Sequence, residues 1–238
     1  MLAKEEEHIT NISYDSVIFG FNGKQLKILV LEYHNTGMFA LPGGFVKKKE
    51  SVDDAAKRGV RERTGLDKIH LEQFYTFGAP DRIDTEPVYN IARGLGEKIN
   101  KDHWLLDRFI SVGYYALLDY NKVKLTPDQF CDSINWYAID ELPKLMMDHK
   151  QIVDKALEAL RANLERKLSS MNLLPEKFTM KELQTVYEVI LDKELRRTTF
   201  QRKMLGLGIL KRHEKLFTGA ANKAPYLYSF DKNLVQSN

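Results

Sequence analysis

The sequence predicts an α+β chain in two parts, a mixed sheet flanked by helices and then a smaller helical module closed by a hairpin. Three observations carry this prediction. Short runs rich in β-branched and aromatic residues, such as 16–21 and 26–33, recur through the first two thirds of the chain and read as strands. Capping-box spacing followed by an apolar face marks helices that start at Ser51 and Thr179. The charge balance also changes along the chain: residues 1–168 carry 24 Lys and Arg against 26 Asp and Glu, and residues 169–238 carry 12 against 7. A length of 238 residues suits a domain of about 150 residues plus a small second one. The expected domains are therefore 1–168 and 169–238.

Composition narrows the class. Apolar residues make up 43% and charged residues 29%, which is enough for a packed core and argues against disorder. The opening MLAKEEEH is acidic and leads into no apolar leader, and no apolar run reaches the roughly 20 residues that span a bilayer. A cytoplasmic protein with no membrane partner is expected. Cys131 is the single cysteine, so no disulfide forms within the chain, and its strand-like surroundings read as packing.

Asn22-Gly23 between the first two strands favours a tight hairpin, because both residues accept positive φ. The stretch 37–44, GMFALPGG, is a loop whose glycines either let a ligand approach the backbone or merely make a turn. Ser51 and Asp54 then cap a helix that Gly65 is placed to stop. Gly59 sits in mid-helix, where glycine costs about 1 kcal/mol relative to alanine, so it marks either close packing or a lost side chain. Further strands are expected at 71–77, 109–118 and 133–139, with a weakly periodic insertion at 83–107. Asp148 can cap a helix to about Leu168, with Ile152, Ala156, Leu160 and Leu164 on one stripe.

The basic segment begins after Asn172-Leu173-Leu174-Pro175. Thr179 and Glu182 form a second capping box, and Leu183, Val186, Tyr187, Ile190 and Leu191 repeat at helical spacing. A turn at 192–195 leads to a short helix over 198–205, in which Phe200 and Met204 face inward. A strand at 209–212, a polar tip at 218–225 and an alternating strand at 226–230 complete a winged helix-turn-helix pattern. Double-stranded DNA is the partner this pattern points to, since a helix of this size fits a major groove and Arg and Gln match base edges. The candidate contacts are Thr179, Arg196, Arg197, Thr199, Gln201, Arg202 and Lys203 on the helices, with Lys211, Arg212, Lys215 and Lys223 on the wing. A small dimerisation module whose charges form a solvated face is the plainer alternative.

Residues 44–66, GFVKKKESVDDAAKRGVRERTGL, follow the spacing G-x5-E-x7-R-E-U-x-E-E-x-G-U at Gly44, Glu50, Arg58, Val60, Glu62, Gly65 and Leu66. This resembles the Nudix box, with two positions changed: Gly59 and Arg63 stand where the family has glutamates. Together with Glu62 those two would be the Mg²⁺ ligands, so the resemblance implies a Nudix α/β/α sandwich with a dismantled metal site. No catalytic residue, resident metal or cofactor is expected. With a C-terminal winged helix, the whole chain resembles the Nudix-related transcriptional regulators, and GGFV, ESVDDAAKR, FGAPDR and RFISVGYYAL look closest to the arabinose-responsive branch.

The resemblance implies a repressor that reads an inverted-repeat operator as a homodimer, with a small-molecule effector: a pentose such as arabinose or an ADP-ribose-type nucleotide. It places the ligand against Gly43, Gly44, Phe45, Glu62, Asp81, Arg82 and Arg108. On the residues alone, Asp81 and Arg82 fit a surface ion pair equally well. One of the adjacent strand residues Tyr114 and Tyr115 must face away from any cleft. The alternative function is an active Nudix pyrophosphohydrolase acting on ADP-ribose or a related nucleoside diphosphate. A third reading is a sensor that docks onto another protein.

Overall fold

The computed structural model describes residues 4–64, 69–82, 84–167, 173–217 and 224–231. Two compact units emerge, residues 1–20 with 27–160, and residues 21–26 with 161–238. The expected boundary at 168/169 lies outside the described residues. Helix α3 (His149–Lys167) runs past residue 160, so the second unit takes in the end of that helix and the tip of the first hairpin.

In the first unit a seven-stranded sheet is built from β1 (His8–Phe21), β2 (Leu26–Tyr33), β3 (Phe39–Ala40), β4 (Gly43–Lys47), β5 (Glu72–Phe77), β6 (Ile110–Asp119) and β7 (Cys131–Ala138). The central order is β3-β2-β1-β6-β5, with β4 on β1 and β7 on β2. The hairpin turns at Asn22-Gly23 as its chemistry demands: Gly23 has φ 89° and the Asn22 carboxamide oxygen accepts from Lys24 and Gln25 N–H. β1 starts earlier than the apolar run suggests and its pairing with β4 is irregular between His8 and Ser13, where Asn11 takes φ 66°.

Helix α1 (Val52–Thr64) lays Ala55 and Ala56 on Tyr14, Val46 and Tyr114. A second cluster joins Val60 to Ile18, Leu29, Leu31 and Ile134. Gly65, the expected helix stop, is outside the described residues. The adjacent tyrosines split between the faces: Tyr114 donates to Asp53 on α1, and Tyr115 packs near Phe19 and Phe74. The 83–107 insertion contains a helix that its weak periodicity did not announce, α2 (Glu86–Gly94), and a 3₁₀ turn at Trp104–Leu106. Gly94 ends α2 against the His34 carbonyl, where a β-carbon would not fit.

In the second unit α4 (Met180–Leu191) and α5 (Arg197–Gly206) pack through Leu183, Val186, Tyr187, Ile190, Phe200 and Met204, all buried. Strands β8 (Phe178–Thr179), β9 (Leu210–Lys215) and β10 (Tyr226–Phe230) form an antiparallel sheet in the order β8-β10-β9. Asp192 takes the left-handed conformation that turns the chain out of α4.

Candidate functional site

The loop before α1 is fixed by the Glu50–Arg58 pair. Arg58 Nε and Nη2 donate to the two carboxylate oxygens of Glu50 at 3.1 and 2.8 Å, and Nη2 also reaches the Phe45 carbonyl at 3.3 Å. The guanidinium holds the Glu50 carboxyl below the usual carboxylate range, and the Lys47 N–H adds to this. Glu62, one turn on, lies 3.5 Å from Arg58 Nη1 and is about half exposed. The box therefore keeps its scaffold pair, and its one remaining ligand carboxylate is held by the same arginine.

The two altered box positions have new partners. Arg63 Nη2 donates to Asp128 at 2.8 Å and Nη1 to the Gly59 carbonyl at 3.3 Å, while the Thr126 N–H bonds the Arg63 carbonyl. Arg63 thus ties the segment before β7 to α1. At Gly59 an added β-carbon would overlap the Tyr14 hydroxyl.

Below the β4 glycines lies a buried polar network. Arg82 Nη2 donates to Asp15 at 3.1 Å, Nε to Asp148 at 2.6 Å, and Nη1 to the Phe109 carbonyl at 3.2 Å. Ser111 donates to the same Asp15 oxygen at 2.5 Å. His149 Nδ1 accepts from the Leu41 N–H at 2.9 Å, so in the neutral ring the proton sits on Nε2, which faces Asp15 at 3.7 Å. Burial pulls the His149 pKa below its ordinary value, against the attraction of Asp15 and Asp148. A histidine lowered in the folded state binds fewer protons than the unfolded chain. Its contribution to stability is therefore whole above about pH 6.5 and is lost as pH falls below that toward the lowered folded value. Urea unfolding at pH 7.5 and 5.5 should show a larger loss for the native chain than for His149→Gln; equal losses would contradict this assignment.

These groups surround a cavity of about 350 Å³ in the first unit. Of the residues expected at the ligand, Gly43, Gly44, Phe45, Glu62 and Arg82 line it, and Asp81 and Arg108 do not. Asp81 and Arg108 are exposed, and Arg108 offers its carbonyl to Asn11. Arg82 is no surface ion pair, because its guanidinium is buried between two carboxylates. Tyr14, Asp15, Arg58, Arg63, Asp128 and His149 also line the cavity. Of these, Arg58 and Arg63 were marked by the box spacing, and Tyr14, Asp15, Asp128 and His149 gave no signal in the sequence. The insertion supplies a wall through Val88 and Ile91, with Asp84 and Asp107 at its two ends. Phe45 lies 5.0 and 5.3 Å from the rings of Trp104 and Phe109, giving an aromatic surface beside the polar one. Such a cavity suits a ligand with a flat apolar part and a hydroxyl-rich or anionic part.

In the second unit Arg196, Arg197, Thr199 and Arg202 are exposed at the start and on the outer side of α5, and Gln201 is half-buried. On the wing Lys211 and Arg212 are exposed, and Arg212 and Lys215 lie over the Tyr226 ring at 4.8 and 5.3 Å. Two residues expected at DNA, Thr179 and Lys203, have partners within the second unit. Thr179 is buried: its hydroxyl accepts from the Glu182 N–H at 3.2 Å and donates to the Glu182 carboxylate, so capping uses it fully. Lys203 is exposed, with its ammonium paired to Glu165. Lys223 lies outside the described residues. Thr179→Ala should therefore lower stability by about 1 kcal/mol through loss of the cap, read as a lower midpoint in urea, with no direct loss of a nucleic-acid contact.

Residues 11–157 match the NUDIX domain, and residues 170–230 match the NrtR DNA-binding winged helix domain. The chain is 29% identical over 227 residues to the ADPR responsive transcriptional repressor NtrR of Acinetobacter baylyi, covering 92% of this chain and 81% of that protein. It is 30% identical over 137 residues to an ADP-ribose pyrophosphatase of Methanocaldococcus jannaschii, covering 56% and 68%. Its fold is similar to the crystal structure of Shewanella oneidensis NrtR, with TM-score 0.67, 24% identity and coverage of 94% and 96% of the two chains. Among the described residues no helix is long and apolar enough to cross a membrane.

Proposed function

Because the chain belongs to the Nudix domain family and continues into an NrtR-type winged helix, we propose that it is a transcriptional repressor whose Nudix unit binds an effector without hydrolysing it. The observation that carries this reading is the state of the box helix. Glu50 and Arg58 still pin it, while Tyr14 closes the space at Gly59 and Arg63 is engaged with Asp128. A divalent cation held by protein carboxylates does not fit there: one of three carboxylates remains, it faces an arginine, and a second arginine occupies the last position. No hydrolytic step is therefore assigned to these residues.

The effector class follows from the relative whose name carries ADPR responsiveness and from the cavity, where aromatic rings and paired arginines suit a nucleotide sugar of the ADP-ribose type. A pentose remains the smaller alternative for the polar end of the same cavity. Gly43, Gly44, Phe45 and Glu62 are the proposed contacts from the box side. The exposed basic residues of α5 and the wing support DNA as the macromolecular partner. A single short recognition helix covers too few base pairs for useful specificity, which favours a homodimer on an inverted repeat.

The test is fluorescence anisotropy with a palindromic duplex from the region upstream of the chain's own gene, with and without ADP-ribose or arabinose. Sequence-preferring binding that one of the two ligands changes is expected; no preference at physiological salt would sink the repressor reading. The competing hydrolase reading draws on the pyrophosphatase relative and on the half-exposed Glu62. Release of AMP from ADP-ribose with Mg²⁺, abolished by Glu62→Gln, would establish it.

A further inference from the structure

Tyr14 sits on β1 with 2% of its surface exposed, its ring packed with Val46, Ala55, Ala56 and Tyr114. Its hydroxyl reaches past this apolar group to two glycines from different elements. A β-carbon on Gly44 would come within 2.8 Å of it, and one on Gly59 would overlap it outright. Gly59 weakens the middle of α1 on propensity grounds, yet no larger residue fits there while the phenol is in place. The hydroxyl also stands among the charges of the box, near enough to Arg58, Arg63, Glu62 and Glu50 to feel all four, and burial pushes its ionisation up so that it remains neutral.

Resting on the non-catalytic reading above, we propose that Tyr14 is the residue that excludes the divalent cation from this Nudix unit. Its phenol fills the volume through which a carboxylate at position 59 would have to project, and it offers the cavity a neutral hydroxyl in place of a metal ion. Loss of the two glutamates and occupation of the space by Tyr14 are then two halves of one change. Restoring the carboxylates alone should not restore the metal site.

The experiment measures Mn²⁺ binding to the full chain from the loss of the free-ion electron paramagnetic resonance signal. The native chain should bind Mn²⁺ weakly; tight binding by it would overturn the non-catalytic reading itself. Gly59→Glu with Arg63→Glu should remain weak while Tyr14 is present, and should gain at least tenfold when Tyr14→Ala is added. Any loss of the Arg63–Asp128 pair is common to both backgrounds. Equal affinity with and without Tyr14 would overturn the proposal and leave the non-catalytic reading standing. Should Tyr14→Ala fail to fold, a milder cycle decides the point. Gly59→Ala, normally favourable in a helix, should lower Tm in the Tyr14 chain, and the drop should shrink once Tyr14→Phe has removed the hydroxyl. The same drop in both backgrounds would overturn the proposal.

Discussion

Arg82→Ala is expected to destabilise the first unit by about 3–5 kcal/mol, the range found when one partner of a buried ion pair is removed. The Arg82 side chain is 7% exposed and that of Asp15 is 10% exposed, so water cannot take over the charge of the remaining carboxylate. Without the guanidinium, Asp15 keeps, among the described residues, the Ser111 hydroxyl and the more distant His149 ring, and Asp148 loses its charged donor. The Phe109 carbonyl loses a donor as well, next to the ring that Phe45 packs on. Arg82→Lys should recover little, because a single ammonium cannot span Asp15, Asp148 and the carbonyl in the way that a planar fork does. Urea unfolding at pH 7.5 measures this. A loss below about 1 kcal/mol, the scale of an exposed pair, would mean that the network is open to water. Because Gly43 backs directly on Asp15, the variant should also bind the effector less tightly where it remains folded.

The second large effect is expected in DNA binding. If six to ten phosphates are engaged, affinity for any duplex should fall by about 10³–10⁵ between 50 and 200 mM salt, because the entropic gain from releasing condensed counterions shrinks as bulk salt rises. Within that common background the basic residues should separate by role. Arg202 is exposed on α5 and has the reach for a base edge, so Arg202→Ala should cost about 1–3 kcal/mol at the operator and little on unrelated DNA. Lys211 and Lys215 lie on the wing strand β9; alanine at either should weaken all sequences alike and reduce the salt slope by about one. Lys203→Ala should do less than either, since its charge is already matched by Glu165. Anisotropy titrations on operator and scrambled duplexes across a salt series read all of these. Equal effects of Arg202→Ala and Lys215→Ala on both duplexes would contradict the assignment of recognition helix and wing.

Much of the fold was legible before the structure because its signals are local. Ser51 with Asp54 and Thr179 with Glu182 cap helices through contacts three residues apart, and both pairs form as their spacing requires. Asn22-Gly23 makes its turn for the same reason. Helix α2 was missed because its apolar side is set by the cavity that it walls, and nine residues are too few for periodicity to speak clearly. Thr179 carried two expectations from the sequence, as a cap and as a DNA contact, because one side chain can do either; its burial and its bonds to Glu182 show the cap.

The sequence by itself determined the starts of α1, α3 and α4, the first hairpin and the retention of a box scaffold without its acids; it read 37–44 as a loop, where β3 and the first residues of β4 lie. Only the tertiary structure decided what replaced those acids. Tyr14 on β1 meets Gly59 of α1, Arg63 finds Asp128 65 residues away, and Arg82 reaches Asp15 across 67. Spacing cannot announce such pairs, because they are chosen by how β1, α1 and the 78–82 turn close around one cavity. Burial then turns each pairing from a weak surface contact into a strong constraint on what the site can bind.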